Sequence, residues 1–423
     1  MKKIINIAIL GFGTVGGGTY DIITRNHKMI MDNTGFDIKV KRVLDLDAAK
    51  IAAKGLPKDA ITKSIEEVCA DSEISVVVET MGGVEPARGF ILSLLKAGKS
   101  VVTANKELLA KYWTELKSAE ANGARLFFEA SCAGGIPIIR TLEQGMQANN
   151  IIEIMGIING TTNFILDKMS EEGLGYTEAL KIAQELGYAE ANPSADVEGY
   201  DAMYKLSILS SLAFGKEVPY AGISREGIDK ISTRDIAEGK EMGYTLKLLG
   251  IAMNEGSKVE ARVHPVFVPN KHPLAGVRGA FNAVYLKGDF VGDIMLYGSG
   301  AGAHPTGSAI VSDIIMAAET LKNKKYKKKI KSGGQVKFNN NYQSKYYFSI
   351  FAEDKAGILA KITAIFGRCG VNLASLVQKE THGGQAFVSF MTHKTFEQSM
   401  QKALAEISKL ECVLSVETLI RVI

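Results

Sequence analysis

The glycine-rich segment after the first predicted strand is the feature that most constrains the fold of this 423-residue chain. The apolar run Ile4–Leu10 is typical of a strand buried on both faces of a parallel sheet. It leads into a G-x-G-x-x-G motif, whose glycines let backbone N–H groups approach a pyrophosphate at a helix N-terminus. This context predicts a Rossmann-like, doubly wound α/β domain, although a glycine-rich turn without a ligand is an alternative. The predicted dinucleotide contacts are Gly11, Phe12, Gly13, Thr14, Val15 and Gly16.

The end of the second predicted strand, Ile38–Leu44, bears on the choice of dinucleotide. Asp45 follows it directly, and an acidic residue there accepts hydrogen bonds from an adenosine ribose, which favours NAD. Arg42 and Lys50 are close enough in sequence to serve the 2′-phosphate of NADP instead. The preference therefore leans to NAD, with NADP left open.

Polar residues also follow the next predicted strands, where doubly wound folds bind their ligands. Thr80 follows the strand Ile74–Glu79, while Thr103 and Lys106 follow a strand that begins at Ser100. We predict that Thr80 and Thr103 contact the cofactor, and that Lys106 contacts either the cofactor or a substrate carboxylate. An ordinary lysine early in a helix is the alternative for Lys106.

The segment from Gly187 to Phe214 is the strongest candidate for the catalytic centre. Between Val197 and Phe214 the charged residues are Glu198, Asp201 and Lys205, spaced to share one face of an otherwise apolar helix. Few charges on an apolar helix favour a buried helix whose polar stripe lines a cavity. An exposed Asp–Lys pair is the alternative.

The rest of the chain predicts two further domains. Residues 136–303 form an α+β domain with its own antiparallel sheet, and a helix from about 304 to 321 returns to the first domain, residues 1–135. Residues 322–343 form a lysine-rich linker, and 344–423 have the order βαββαβ of a ferredoxin-like module.

The composition narrows the function classes and the location of the protein. No apolar run approaches the length of a transmembrane helix. The lysine-rich linker lacks the aromatic residues of a nucleic-acid site, so neither nucleic acid nor membrane is expected as a partner. The four cysteines lie far apart, which fits a reducing cytoplasm. Cys132 has no activating base nearby in sequence, so we interpret it as a small buried thiol.

The motifs together resemble the homoserine dehydrogenase family of the three-part bacterial type, with a C-terminal ACT domain. The matching segments are Gly11–Gly16, Thr103–Lys106, Glu129–Pro137, Asn159–Asn163, Gly187–Glu190 and Asp196–Lys205. The resemblance implies NAD(P)H-dependent reduction of L-aspartate 4-semialdehyde to L-homoserine, a step toward threonine, isoleucine and methionine.

The resemblance also implies roles for individual residues. Lys205 resembles the general acid, with Asp201 and Lys106 as catalytic partners that also bind substrate. Further substrate contacts are Glu190, Gly187 and Asp196, and Gly300 resembles a cofactor contact. Glu129 and the carbonyl groups of Cys132, Gly134 and Ile136 are similar to a structural site for a monovalent cation such as Na⁺.

The C-terminal module is expected to bind an amino acid, with threonine as the favoured effector, at a subunit interface of a homodimer or homotetramer. The candidate contacts are Asp354, Gly357, Ile358, Leu359 and Asn372. Exposed helix N-termini suit a zwitterion. A module used only for dimerisation is the alternative.

Two other functions compete with the dehydrogenase. A sensor of dinucleotides and amino acids without turnover would not need Glu190, Asp201 and Lys205 together. An aspartate-semialdehyde dehydrogenase would need an activated cysteine, a setting that Cys132 lacks.

Overall fold

The computed structural model describes residues 3–120, 123–322, 336–380 and 383–423. The chain divides into two compact units. Unit 1 comprises Met1–Gly160, Asp201–Ile223 and Phe281–Val336, and unit 2 comprises Thr161–Tyr200, Ser224–Ala280 and Lys337–Ile423. No helix in these described ranges is both long and apolar enough to span a membrane.

The N-terminal part of unit 1 is a parallel sheet flanked by helices. Its strands are β1 (Lys3–Leu10), β2 (Phe36–Leu44), β3 (Ile61–Thr62), β4 (Ile74–Glu79), β5 (Ser100–Thr103) and β6 (Leu126–Phe127). Its helices are α1 (Thr14–Arg25), α2 (His27–Thr34), α3 (Ala48–Ala53), α4 (Ile65–Ala70), α5 (Ala87–Lys96) and α6 (Lys106–Ser118). The strand order β3-β2-β1-β4-β5-β6 is that of a Rossmann fold, and it confirms the predicted fold class.

The middle of the chain contributes elements to both units. These are α7 (Ile138–Arg140), β7 (Ile151–Ile157), α8 (Gly160–Glu172), α9 (Tyr176–Glu185), α10 (Ser194–Val197), α11 (Tyr200–Phe214), β8 (Ser224–Arg225), α12 (Thr233–Glu241), β9 (Tyr244–Asn254), β10 (Lys258–Pro269), β11 (Phe281–Gly288), β12 (Gly292–Ser299) and α13 (Ala303–Lys322). In unit 1, β11 pairs antiparallel with both β7 and β12. A hairpin turn at residues 289–291 joins β11 to β12, and Gly292 after it has a φ of +72°.

Helix α13 packs against α1 within unit 1. A Cβ atom at Gly18 would lie 2.4 Å from the carbonyl oxygen of Ala303, and one at Gly307 would lie 3.0 Å from the carbonyl carbon of Gly18. Glycines at both positions therefore let the two helices approach closely. Ile310 and Ile314 of α13 join the core that β1 forms with α1, so this helix packs with the N-terminal sheet inside unit 1.

The C-terminal elements belong to unit 2. They are β13 (Lys337–Phe338), β14 (Gln343–Glu353), α14 (Ile358–Arg368), β15 (Leu373–Glu380), β16 (Gln385–Thr392), β17 (Thr395–Phe396), α15 (Glu397–Ile407) and β18 (Val413–Val422). Strands β18, β14, β16 and β15 are adjacent in that order and antiparallel, with α14 and α15 packed on the same core. This is the predicted βαββαβ module.

The C-terminal module shares its sheet with another part of unit 2. Strand β18 pairs parallel with β10 through Val266–Arg421 and Phe267–Val422. The module is thus joined to the segment Ser224–Ala280 rather than separate from it. The predicted boundaries follow the chain in sequence, whereas the compact units interleave three segments each. Most of the predicted linker, residues 323–335, lies outside the described residues.

Candidate active site

Helix α11 carries a buried ion pair in unit 1. Asp201 is 6% exposed and Lys205 is 9% exposed. The Lys205 Nζ atom donates to Asp201 Oδ2 at 2.6 Å and to the carbonyl oxygen of Ile158 at 2.9 Å. Both residues are buried, as the pattern predicts, while the expectation that they line a cavity stays a prediction. Glu198 does not belong to it, because this residue follows α10 and its carboxylate lies 3.7 Å from Arg225.

The Asp201 carboxylate is surrounded by donors. Asn159 Nδ2 donates to Oδ2 at 2.9 Å, and Lys106 Nζ lies 3.4 Å from Oδ1. Burial alone would raise the pKa of the Asp201 carboxyl, but the ammonium groups of Lys205 and Lys106, with the hydrogen bonds, lower it to about 2. Asp201 is therefore ionised across the physiological pH range.

Lys106 differs from Lys205 in its exposure. It is the first residue of α6, directly after Asn105, whose side chain caps the helix by accepting from Leu108 N at 3.1 Å. The Lys106 side chain is 45% exposed, against 11% for Lys205. The site thus combines a lysine fixed in the interior with one that reaches in from the surface.

A cavity of about 250 Å³ lies beside Lys106, outside the carboxyl ends of β4 and β5. It is lined by Val15, Glu79, Thr80, Gly82, Gly83, Ala104, Asn105, Lys106 and Glu107. Thr103 does not line it but is fully buried, with its hydroxyl donating to Glu79 at 2.5 Å. The position is the one where Rossmann folds bind their ligands.

The glycine motif forms a backbone cradle next to this cavity. Gly11 has a φ of +87°, and a Cβ at Gly16 would lie 2.1 Å from the Gly11 carbonyl oxygen. At Gly13, by contrast, no described atom lies within 4 Å of a Cβ position, so the backbone there is open to a close partner. Helix α1 begins without a side-chain cap. The cradle therefore fits a dinucleotide pyrophosphate.

Asp45 and Phe12 contact each other. The backbone N–H of Phe12 donates to one oxygen of Asp45, and Asp47 N donates to the other at 2.8 Å. The Phe12 ring is buried and packs on Tyr20. Asp45 therefore fixes the glycine-rich turn, in addition to any contact with a ribose.

Gly300 lies near the predicted cation turn and is not among the residues that line the cavity beside Lys106. A Cβ at Gly300 would lie 2.2 Å from the Asn282 amide carbon, and one at Gly134 would lie 2.4 Å from the Gly300 carbonyl carbon. Packing alone thus explains glycine at both positions.

Two of the groups in the predicted cation site, the Glu129 carboxylate and the Ile136 carbonyl, accept hydrogen bonds from the backbone. The two oxygens of Glu129 accept from the backbone N–H groups of Ile139 and Arg140 at 2.7 and 2.8 Å. Burial raises the pKa of the Glu129 carboxyl to about 7, against those two hydrogen bonds. The Ile136 carbonyl accepts from Ile138 at 2.8 Å. Burial also raises the pKa of the Cys132 thiol to about 12, as expected for a thiol that is not a nucleophile.

Three predicted substrate contacts lie in unit 2. Gly187 follows α9 with a φ of +76°, Glu190 is exposed, and Asp196 lies in α10. Within unit 1 the structure brings together Lys106, Asp201 and Lys205.

The predicted effector residues surround the start of α14. Gly357 has a φ of +85° and precedes the helix without a side-chain cap. Asp354 Oδ1 accepts from Gln378 at 3.0 Å, and the carbonyl oxygen of Asn372 accepts from His393 N at 2.8 Å. Ile358 is buried in the module core, and Leu359 packs against that core, so the helix N-terminus offers backbone donors rather than side chains.

Family models match three consecutive parts of the chain. They describe a homoserine dehydrogenase NAD-binding domain at residues 11–129, homoserine dehydrogenase at 137–315 and an ACT domain at 346–412. The chain belongs to the homoserine dehydrogenase family. It is an oxidoreductase with a domain that binds a nicotinamide dinucleotide.

Relatives of similar length support this assignment. Homoserine dehydrogenase of Bacillus subtilis is 40% identical over 99% of this chain and 98% of its own length. That of Helicobacter pylori is 40% identical over 100% and 99%. A homoserine dehydrogenase structure from Thiobacillus denitrificans has a TM-score of 0.94 at 40% identity, covering 100% of this chain and 98% of that one. A hyperthermophilic archaeal homoserine dehydrogenase, solved with NADPH, has a TM-score of 0.63 at 29% identity over 75% of this chain.

Proposed function

We propose that Lys205 is the general acid that protonates the aldehyde oxygen of L-aspartate 4-semialdehyde as it becomes L-homoserine, and the base in the reverse direction. An ammonium group has three N–H donors, and in the described chain two of them bind Asp201 and Ile158. The third can meet a substrate oxygen. This fixed, buried donor is the observation that carries the proposal, because a developing alkoxide needs a proton and positive charge beside it.

Asp201 and Lys106 complete the proposed catalytic group. Asp201 stays ionised and holds the Lys205 ammonium in place, while Lys106 adds a second positive charge 3.4 Å from the carboxylate. When bound, the nicotinamide supplies the hydride. The chain would hold the dinucleotide with the cradle Gly11–Gly16, Thr80 and Lys106, with Thr103 beneath.

We further propose that Glu190 holds the substrate's amino end, with Gly187 and Asp196 as further contacts. An exposed carboxylate at Glu190 suits an ammonium group.

For the cofactor we infer a preference for NAD over NADP. Asp45 directly follows β2, and a carboxylate there repels a 2′-phosphate. Arg42 does not lie free at that position, because its guanidinium donates to the Asp59 carbonyl at 2.9 Å.

The C-terminal module would bind threonine at the start of α14 and inhibit the enzyme by feedback. The uncapped helix N-terminus after Gly357 supports an anionic group there, such as an amino-acid carboxylate. A homodimer or homotetramer, a cytoplasmic location and the cation remain predictions. The Glu129 carboxylate accepts from two backbone amides and the Ile136 carbonyl accepts from Ile138, so a cation there would rest mainly on the carbonyl groups of Cys132 and Gly134.

The deciding experiment is homoserine oxidation with NAD and with NADP, each with and without threonine. We expect turnover with a higher kcat/KM for NAD, and inhibition by threonine. A higher kcat/KM for NADP would contradict the role of Asp45. Turnover without inhibition by threonine would favour the alternative that the C-terminal module serves only for assembly of subunits.

A further inference from the structure

We propose that Asn159 is a positioning residue that fixes the Asp201 carboxylate and, through it, Lys205; this inference rests on the catalytic roles proposed above. Its Nδ2 atom donates to Asp201 Oδ2 at 2.9 Å. Asn159 is 5% exposed and Asp201 6%, so this hydrogen bond lies in the protein interior, where it is stronger than in water. The amide acts on the reacting atoms only through Asp201.

One short segment of backbone holds both members of the ion pair. Ile158 and Asn159 directly follow β7; the carbonyl of the first accepts from Lys205 at 2.9 Å, and the side chain of the second donates to Asp201. Strand β7 is held in register by β11, with Ile157 opposite Ala283. The end of a rigid strand therefore sets where the two charged groups of α11 lie.

The hydrogen bonds also divide the two carboxylate oxygens of Asp201. Oδ2 accepts hydrogen bonds from Asn159 Nδ2 and Lys205 Nζ, while Oδ1 is the oxygen nearer to Lys106 Nζ. Without the Asn159 donor the carboxylate can rotate about its last bond and carry the Lys205 ammonium with it. Among the described residues, the ammonium groups of Lys205 and Lys106 face the Asp201 carboxylate. The Cys132 thiol lies beside this pair, with its Sγ atom 3.8 Å from the Lys205 carbonyl oxygen.

The test uses Asn159→Asp, which keeps the shape of the side chain but exchanges the donor for a carboxyl group. Two adjacent carboxyl groups share one proton at low pH and lose it as the pH rises. A protonated Asp at this position donates to Asp201 as the amide does, whereas the ionised form repels it. We therefore expect the variant-to-wild-type ratio of kcat/KM for homoserine oxidation to fall as the pH rises from about 6 to about 9.

Asn159→Ala removes the donor at every pH. We expect its kcat to fall about 10- to 100-fold, the usual effect of removing a supporting hydrogen bond, while the KM for the dinucleotide stays near the wild-type value. This variant keeps the proposal testable if Asn159→Asp does not fold, which circular dichroism and the unfolding midpoint would reveal.

The matched control is Asn150→Asp. Asn150 also donates its amide to an aspartate, Asp289, at 2.7 Å, but on an exposed loop. For Asn150→Asp, the variant-to-wild-type ratio of kcat/KM should not change with pH. A pH-independent ratio for Asn159→Asp, or wild-type kcat for Asn159→Ala, would overturn the positioning role. A wild-type protein that does not oxidise homoserine would instead contradict the proposed function, and the two failures are thus distinguishable.

Discussion

At the scale of single residues, the sequence identifies Asp201 and Lys205 because charge is rare on an apolar helix. It does not identify Asn159 as their partner. An amide after a strand also suits an ordinary turn, and Asn159 and Asp201 are 42 residues apart. Their contact arises from how β7 and α11 pack, which no local pattern encodes. Glu198 shows the opposite error, since its spacing fits the face but α11 begins only at Tyr200.

Replacing Lys205 should abolish most turnover without unfolding the protein. Lys205→Met keeps the length of the side chain and removes the proton donor, so we expect kcat for homoserine oxidation to fall about 100-fold or more. Lys181→Met on α9 is the control, because that side chain is 76% exposed. Near-wild-type turnover by Lys205→Met would contradict the assigned role.

Glu397 should make the stability of the protein depend on acid. Burial raises the pKa of its carboxyl, but Arg421 and further hydrogen bonds lower it to about 2, below its ordinary value of 4.5. Its stabilisation is therefore present above about pH 4.5 and is lost as the pH falls toward 2, by an amount on the order of 3 kcal/mol.

Urea unfolding of Glu397→Gln at about pH 7, 4.5 and 3 tests this dependence. We expect the free energy of unfolding of this variant to fall less between about pH 7 and about pH 3 than that of the wild type. Glu185→Gln, at a side chain 63% exposed, should keep the wild-type slope. Equal slopes for all three proteins would show that Glu397 does not carry the effect.

At the scale of elements, periodicity and turn residues predict the strands of the Rossmann sheet closely; β4 lies at Ile74–Glu79 as predicted. The turn between β11 and β12 is harder to locate from the sequence, because Phe290 and Val291 lie in it and such apolar residues are not typical of turns. One residue in the sequence does indicate the contact between α1 and α13. Gly18 lies outside the G-x-G-x-x-G motif, and a glycine inside a helix needs a reason such as close packing.

Adjacent glycines of α1 should respond oppositely to alanine. Gly18→Ala places a methyl group against the Ala303 carbonyl, so we expect a loss of about 1–3 kcal/mol in the free energy of unfolding. Gly17→Ala meets no described atom within 4 Å and should be neutral or stabilising by up to about 1 kcal/mol, because alanine favours the helix. Urea unfolding of both variants measures the difference; equal effects would contradict the packing argument.

At the scale of the whole molecule, the order of strands and helices predicts the βαββαβ module but not its attachment. The βαββαβ pattern accounts for every strand and helix of the module without a further partner. In the structure, two residue pairs join β18 to β10. Buried side chains strengthen the attachment. Asp235 of α12 accepts from the hydroxyl groups of Tyr347 and Ser349 on β14, at 3.1 and 2.9 Å. Such contacts between distant parts of the sequence cannot be inferred from either part alone.

Shortening the chain by three residues should destabilise unit 2. A chain ending at Ile420 lacks both β18 partners of β10 and the Arg421 guanidinium, which donates to Glu397 at 2.6 Å. We expect its free energy of unfolding to fall by about 3–5 kcal/mol, since a buried carboxylate loses its partner. A chain ending at Val422 keeps these contacts and is the control. Similar thermal midpoints for the two chains would contradict this view of the attachment.

The pairing of β10 with β18 also has a consequence for biosynthesis. Phe267 and Val422 are partners, yet they are separated by 155 positions (422 minus 267). At roughly 5–20 residues per second, a ribosome adds the second residue roughly 8–30 s after the first. During that interval the part of β10 at Val266 and Phe267 lacks its β18 partner, which has not been translated. Nascent chains stalled between these positions should therefore be the ones that chaperones retain.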